Sequence, residues 1–112
     1  MSEFVFLYRG GDGPITPEQV QKNLHHWTAW FKDLAAKGHM GDRGQPLERA
    51  GKTVNSAKVV LDGPFAEAKD IIGGYSLIKA RDLAEAAELA KGCPLLTRGG
   101  AVEVRPVMKL DM

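Results

Sequence analysis

Residues 61–75 (LDGPFAEAKDIIGGY) constrain the fold more than any other segment, because they join two apolar runs through a tight turn. The first run ends at Asp62 and Gly63, where a carboxylate can accept backbone amides and glycine can adopt dihedral angles closed to other residues. Pro64 fixes its own φ and disfavours helical geometry at Gly63. The following AEAKD is long enough for about one helical turn, and a Gly-Gly pair precedes the second run. We therefore predict two strands joined by a turn and a short excursion, with Asp62 at the end of the first strand.

A long amphipathic helix is predicted over residues 17–37. Thr16 can serve as its N-cap, Pro17 suits the first helical position, and Gln19 completes a capping box. Gly38 is a natural C-terminal stop, so the helix should have about 21 residues. The apolar stripe of this helix repeats every three or four residues and consists of Val20, Leu24, Trp27, Phe31 and Leu34. The stripe predicts that one face of the helix lies against a sheet.

A second, shorter helix is predicted after residue 82. Asp82 can cap it, and Glu85 lies three residues later at the spacing of another capping box. Gly92 and Pro94 end it. Its inner stripe is predicted to consist of Leu83, Ala86, Ala87 and Ala90. The small side chains of this stripe favour close packing of the helix on a sheet.

Apolar or alternating segments predict strands at residues 4–8, 53–61, 75–80 and 101–108, and residues 47–50 can form a short additional strand. With the two helices, the order is β-α-β-β-α-β, which is the ferredoxin-like plan of an α+β fold. We expect an antiparallel sheet with both helices on one face, in a single domain over residues 1–112. If the other face is also apolar, a second sheet is its simplest cover, and this pattern favours a homodimer.

The composition is that of an ordinary soluble protein, with a net charge of +1, 26% charged and 44% hydrophobic residues. Without a basic excess, direct binding to nucleic acid is not expected. The N-terminus lacks the basic start and long apolar core of a signal peptide. No apolar run approaches the roughly 20 residues that a membrane helix needs. We expect a cytoplasmic protein that does not enter the membrane.

Common catalytic signatures are absent from the sequence. The spacing of Cys and His residues does not match a metal site, and neighbouring side chains such as those of His25 and His26 diverge by about 100° on a helix. The nucleophile-elbow, zinc-protease and phosphate-loop motifs do not occur. We therefore predict no cofactor and no metal.

A catalytic acid/base pair can still be assembled across elements. Asp62 at the strand end is the leading candidate, since a carboxylate can hold an imidazole in one tautomer. His26 on the long helix is its expected partner, with His25 behind it. The alternative for Asp62 is a structural one, in which its carboxylate only accepts backbone amides within the turn.

Ligand contacts are expected from aromatic residues and from two cations. The residues assigned to ligand binding are Tyr8, Trp30, Phe65, Lys69, Tyr75 and Arg105. For the aromatic residues the alternative is packing in the core, where a tyrosine hydroxyl finds an internal partner. For Lys69 and Arg105 the alternative is a structural ion pair with Glu103, Glu67 or Asp70.

Three segments of the chain, DGPFAEAKD, GGY and VEVRPVM, resemble the DGPF-type branch of the YCII-related protein family. The resemblance covers nearly the whole chain. It implies the fold of the dimeric α/β barrels, in which two ferredoxin-like protomers pack sheet to sheet, and it implies a bacterial source. Related proteins outside the DGPF branch carry a His–Asp pair in a cleft, and the wider superfamily includes cofactor-independent monooxygenases, isomerases and dehalogenating lyases.

Two functions follow from the resemblance, and the sequence leaves open whether the protein is an enzyme. In the first, a small organic ligand binds in a cleft between the sheet and the long helix, with acid/base catalysis by Asp62 and a histidine. In the second, the protein is a non-catalytic accessory or sensing module that binds another protein, because DGPF-type proteins have been linked to transcription initiation through sigma factors. A third reading is that the motif only stabilises the fold or the dimer.

Overall fold

The computed structural model describes residues 1–11, 16–64, 67 and 70–111. Its strands are β1 (Ser2–Arg9), β2 (Met40–Asp42), β3 (Lys52–Val54), β4 (Val60–Asp62), β5 (Ile72–Ala80) and β6 (Ala101–Pro106). Its helices are α1 (Pro17–Ala36), α2 (Leu83–Ala90) and a short 3-10 helix (Pro94–Arg98). One sheet has the order β2-β5-β1-β6 with antiparallel neighbours, and β3 pairs with β4 in a second, two-stranded sheet. The larger sheet with α1 and α2 confirms the ferredoxin-like prediction.

Both predicted helix starts are confirmed at the level of hydrogen bonds. The Gln19 amide donates to the Thr16 hydroxyl at 3.1 Å and the Gln19 side chain accepts from the Thr16 amide, so the predicted capping box is present. At α2 the Glu85 amide donates to the Asp82 carboxylate at 2.9 Å. The second bond of this predicted capping box, from the Asp82 amide to the Glu85 side chain, was wrong. The Glu85 carboxylate accepts from the Arg81 amide instead.

The core lies between one face of the sheet and the two helices. Its buried members are Phe4, Phe6, Tyr8, Trp30, Leu34, Ser76, Ile78, Ala80, Ala86, Ala90 and Cys93. Successive strand side chains point to opposite faces, so the inward residues of β1 and β5 alternate with outward ones. The opposite sheet surface, here called the open face, carries Val5, Leu7, Arg9, Tyr75, Leu77, Glu103 and Arg105. Neither α1 nor α2 covers the open face.

The predicted helix stripes extend further than the packed surface. Val20 and Leu24 remain 40% and 55% exposed, because the core contacts of α1 begin at Trp27. On α2 the inward residues are Ala86 and Ala90, with Leu89 partly buried against the core, whereas the predicted Leu83 and Ala87 are exposed. Helical periodicity therefore identified the packed face of α1 from Trp27 onward, but only half of the predicted inner stripe of α2 was right.

The predicted strand over residues 53–61 is in fact a hairpin. The Asn55 side chain accepts the amides of Ala57 and Val59, both at 3.0 Å, and Lys58 adopts a positive φ of 63°. These contacts close a turn between β3 and β4, which we call the arm (residues 52–62). The tight turn formed without glycine because an asparagine side chain can replace a backbone acceptor.

Residues 47–50 do not form the expected short strand. Instead Pro46 makes a single bridge to Gly74, and the Leu47 amide donates to the Gly73 carbonyl at 2.8 Å. One edge strand of the sheet is β2, which precedes this segment and was missed. Gly73 and Gly74, expected in a turn, belong to β5.

Burial of Cys93 gives the fold a specific dependence on alkaline pH. Desolvation raises the pKa of this thiol to about 12. In the unfolded chain the thiol ionises near its ordinary pKa of about 9, so the folded state holds the proton that the unfolded state has lost. The resulting stabilisation is complete below pH 9 and is lost as pH rises toward 12.

We expect the unfolding free energy of the wild type to fall above pH 9 by up to about 1.4 kcal/mol per pH unit from this group. Cys93→Ala should be less stable at neutral pH but should lose less stability between pH 8 and 10. Urea unfolding across that range measures the difference. Parallel pH profiles for the two proteins would contradict the assignment, since the pKa of Tyr8 is raised mainly by desolvation, which is present in both proteins, and only in smaller part by the charge of Cys93.

Candidate functional site

A cavity of about 520 Å³ lies at the root of the arm and is partly open to solvent. Cavities of a few hundred to 1,000 Å³ are typical of small-molecule sites. Its lining residues come from the end of β1, the segment that leads into β3, the two ends of the DGPF segment (residues 62–70) and the start of β5: Arg9, Leu47, Glu48, Ala50, Gly51, Lys52, Pro64, Asp70, Ile71 and Ile72. The cavity is thus assembled from parts of the chain that are distant in sequence.

The turn of the DGPF segment is attached to the root of the arm. The Gly63 amide donates to the Gly51 carbonyl at 2.9 Å, and the Thr53 hydroxyl donates to the Gly63 carbonyl at 2.9 Å. Gly63 has a φ of 86°, which few other residues adopt without strain. These contacts place Pro64 in the cavity wall, and Asp70 at the other end of the motif also lines the cavity.

Arg9 is the most firmly positioned polar group of the cavity. Its Nε donates to Glu103 Oε1 at 2.7 Å, and its Nη1 donates to the Asp70 carbonyl at 2.6 Å. Its side chain is 30% exposed. These bonds use two of the five guanidinium N–H groups, so the remaining ones can bind an anionic or carbonyl group of a ligand. Arg9 therefore joins β1, β6 and the end of the DGPF segment at one point.

The other charges of the cavity are mixed in sign. Lys52 donates to Asp62 at 2.6 Å, and the acidic residues Glu48 and Asp70 also line the space. The remaining wall is largely aliphatic, being formed by Leu47, Ala50, Pro64, Ile71 and Ile72. An aliphatic wall with a fixed guanidinium suits a molecule that has an apolar body and a polar or acidic group.

The predicted catalytic pair occupies two exposed positions. The Asp62 side chain is 94% exposed and pairs with Lys52, and Asp62 is outside the set of cavity-lining residues. His26 is exposed on α1. Within the described part of the chain, no hydrogen bond or ion pair joins the two residues. The structure therefore gives Asp62 a cross-strand partner in the arm, whereas the sequence predicted an imidazole.

The space between the sheet and α1, where we expected the ligand cleft, is filled by aromatic side chains. The buried Trp30 stacks against Phe6 with ring centroids 6.1 Å apart, and the Tyr8 and Trp27 rings make an edge contact at 4.8 Å. The Tyr8 hydroxyl donates to Ser76 at 2.8 Å, and Ser76 donates to a backbone carbonyl at 2.6 Å. Tyr8 and Trp30 thus have partners within the core.

Tyr75 and Arg105 lie on the open face of the sheet. Tyr75 is 36% exposed, and Arg105 lies 4.0 Å from the carboxylate of Glu103, which is the ion pair considered as its structural alternative. Phe65 and Lys69 lie outside the described residues. The sequence did not identify Arg9 or Lys52, although Arg9 carried one signal, as the first basic residue after a continuous apolar run.

Among the described residues, no group of three or more His, Cys, Asp or Glu side chains is placed to hold a metal ion. Neither of the two described α-helices is both long and apolar enough to cross a membrane.

Comparison with known proteins shows the family of the chain. The family model of the YCII-related domain matches residues 3–111. No curated protein matches the chain. A solved structure of 5-chloro-2-hydroxyhydroquinone dehydrochlorinase from Burkholderia phenoliruptrix AC1100, in complex with 2,5-dihydroxybenzoquinone, is 19% identical, with a TM-score of 0.47. The alignment covers 95% of this chain and 93% of that one.

Proposed function

Since the chain belongs to the family of YCII-related domains, we propose that it binds a small organic molecule in the cavity at the root of the arm. The observation that carries this proposal is the position of Arg9, whose guanidinium is fixed by Glu103 and by the Asp70 carbonyl. A cation held by two hydrogen bonds loses little further freedom when it binds a ligand. The ligand class is a small organic acid with an apolar body.

The proposal is one of binding, and acid/base catalysis by Asp62 and His26 stays a separate hypothesis. Neither residue belongs to the cavity lining, and Asp62 is engaged with Lys52. A general base must come within hydrogen-bond reach of the proton that it removes, directly or through one water. Catalysis by this pair therefore requires a substrate that extends from the cavity beyond Lys52.

We further propose that the protein is a homodimer, joined through the open face of the sheet. Val5, Leu7 and Leu77 form an apolar strip on this face, and neither α1 nor α2 covers it. Two sheets of this kind pack face to face at a separation of about 10 Å. A second copy of the chain supplies the matching surface through two-fold symmetry.

A second candidate function is binding to another protein, such as a sigma factor, as a non-catalytic accessory module. The observation that favours it is the apolar surface of the arm, where Val54 and Val60 are 64% and 58% exposed. The two candidates differ in their ligand. A protein-binding module needs the apolar surface of the arm, whereas a small-acid binder needs the remaining N–H groups of Arg9.

The binding proposal predicts that Arg9→Leu weakens recognition of small acids. Benzoate and its hydroxylated forms at millimolar concentration should raise the unfolding midpoint of the wild type, because a ligand at 100 times its Kd stabilises by about 2.7 kcal/mol. Loss of a charged hydrogen bond, worth about 1.5–3 kcal/mol, should weaken binding roughly 10-fold to 100-fold in Arg9→Leu. Differential scanning fluorimetry followed by calorimetric titration measures both effects.

The matched control is Arg105→Leu. Arg105 also contacts Glu103, but it is not among the cavity-lining residues, so this variant should bind as the wild type does. The opposite result, with binding lost only in Arg105→Leu, would indicate that the ligand binds at Arg105 on the open face and not in the cavity. If no acid in the series changed the unfolding midpoint, the proposed ligand class would be wrong.

A further inference from the structure

The arm exposes apolar side chains on both of its faces. Val54 and Val60 form a cross-strand pair on one face and are 64% and 58% exposed. Val59 and Leu61 lie on the other face and are 49% and 47% exposed. Cross-strand apolar pairs stabilise a sheet when they are covered, and contiguous exposed ones mark interaction surfaces.

The arm also projects from the rest of the chain. The radius of gyration is 15.5 Å, whereas a compact chain of this length has a value of about 13 Å. Among the described strands, β3 and β4 pair only with each other. A two-stranded hairpin alone is marginally stable in water, so the arm should gain its stability from a surface that covers it.

The root of the arm adjoins the open face of the sheet. Arg9 points to that face, since its side chain pairs with Glu103 there. The same Arg9 lines the cavity with Gly51 and Lys52 of the arm root. The arm, the cavity mouth and the open face are therefore one continuous surface.

We propose that the arm of each protomer packs on the open face of a second copy and covers the mouth of that copy's cavity. This inference rests on the proposed homodimer and assigns the arm a place in it. One molecule carries both uncovered surfaces, so a two-fold axis pairs each arm with the sheet of the partner. Together the arm and the open face present about twenty residues, close to the roughly 20–30 that each partner contributes to a standard interface. A net charge of +1 opposes self-association only weakly.

The first test is the oligomeric state of Val60→Asp, measured by sedimentation velocity over a concentration series. A buried carboxylate at this position should raise the dissociation constant of the dimer at least about 100-fold. The matched control is Leu83→Asp, which places the same charge on a similarly exposed leucine of α2, in the layer opposite the open face. This control should remain as dimeric as the wild type. Equal dimerisation of all three proteins would overturn the proposed place of the arm.

A second test locates the arm directly and does not depend on weakening the dimer. A nitroxide is attached to a Val60→Cys protein in which Cys93 is replaced by alanine. This protein is mixed with ¹⁵N-enriched wild type, which carries no nitroxide. We expect broadening of the amide signals of Leu7 and Leu77 in the enriched chain, because only a partner's label can reach them. A dimeric mixture without that broadening would overturn the arm inference and leave the dimer intact. A monomeric wild type would overturn both, whereas binding of acids to it would still support the cavity.

Discussion

Gly44→Ala is expected to lower the midpoint of thermal unfolding by roughly 8–25 °C. Gly44 has a φ of 72°, and a β-carbon at this position would overlap the backbone carbonyl oxygen of Tyr75. The left-handed conformation costs a residue with a side chain about 1–2 kcal/mol, and the overlap forces a backbone shift that costs about 1–3 kcal/mol more. The affected segment is the one that runs along β5, where the neighbouring Arg43 carbonyl accepts the Ser76 hydroxyl. Differential scanning calorimetry measures the loss.

Gly38→Ala is the control that separates backbone conformation from close approach. Gly38 follows α1 with a similar φ of 80°, but no atom lies within 4 Å of the position that a β-carbon would take. Its replacement should cost about 1 kcal/mol, and the midpoint should fall by only about 5 °C. Equal losses for the two variants would show that the conformation alone matters and that the segment beside β5 can move.

The same two glycines illustrate what the sequence could and could not predict. Gly38 ends a periodic apolar stripe, so its role at the helix end was visible in the local pattern. Gly41 and Gly44 lie outside every strand predicted from the sequence, yet the chain there forms or extends the edge of the sheet against β5. A glycine that permits close approach to a distant strand has the same local signature as one that permits a turn, and only the tertiary contact distinguishes them.

Of the candidate site, the sequence pointed to the DGPF segment but not to Arg9, because local patterns do not reveal contacts between distant parts of the chain. The DGPF segment was identified from the sequence, and its ends do border the cavity. Arg9, in contrast, is positioned by Glu103 and by Asp70, which lie 94 and 61 residues away along the chain. Contacts over such separations leave no periodic trace in one sequence. The arm was missed because Asn55 closes its turn without the glycine that usually marks a hairpin.

Trp30→Ala is expected to destabilise the protein by about 3–5 kcal/mol and to lower the midpoint of unfolding by more than about 12 °C. The side chain is 8% exposed, and its ring contacts those of Phe6, Tyr8, Trp27 and Phe31 at centroid separations of 5.6–6.3 Å. Alanine leaves a cavity among rings that are held from both the sheet and the helix, and these rings cannot collapse fully into it. Urea unfolding, monitored by circular dichroism, gives the change in free energy.

Leu24→Ala on the same helix supplies the comparison. Leu24 belongs to the apolar stripe that the sequence predicted, but it is 55% exposed in the folded chain, so its removal should cost less than about 1 kcal/mol. A larger cost would mean that the first half of α1 is covered in solution, for example by a second protein. A small loss in Trp30→Ala would mean that the space between the sheet and α1 tolerates an opening, and this result would return that space to consideration as the ligand cleft predicted from the sequence.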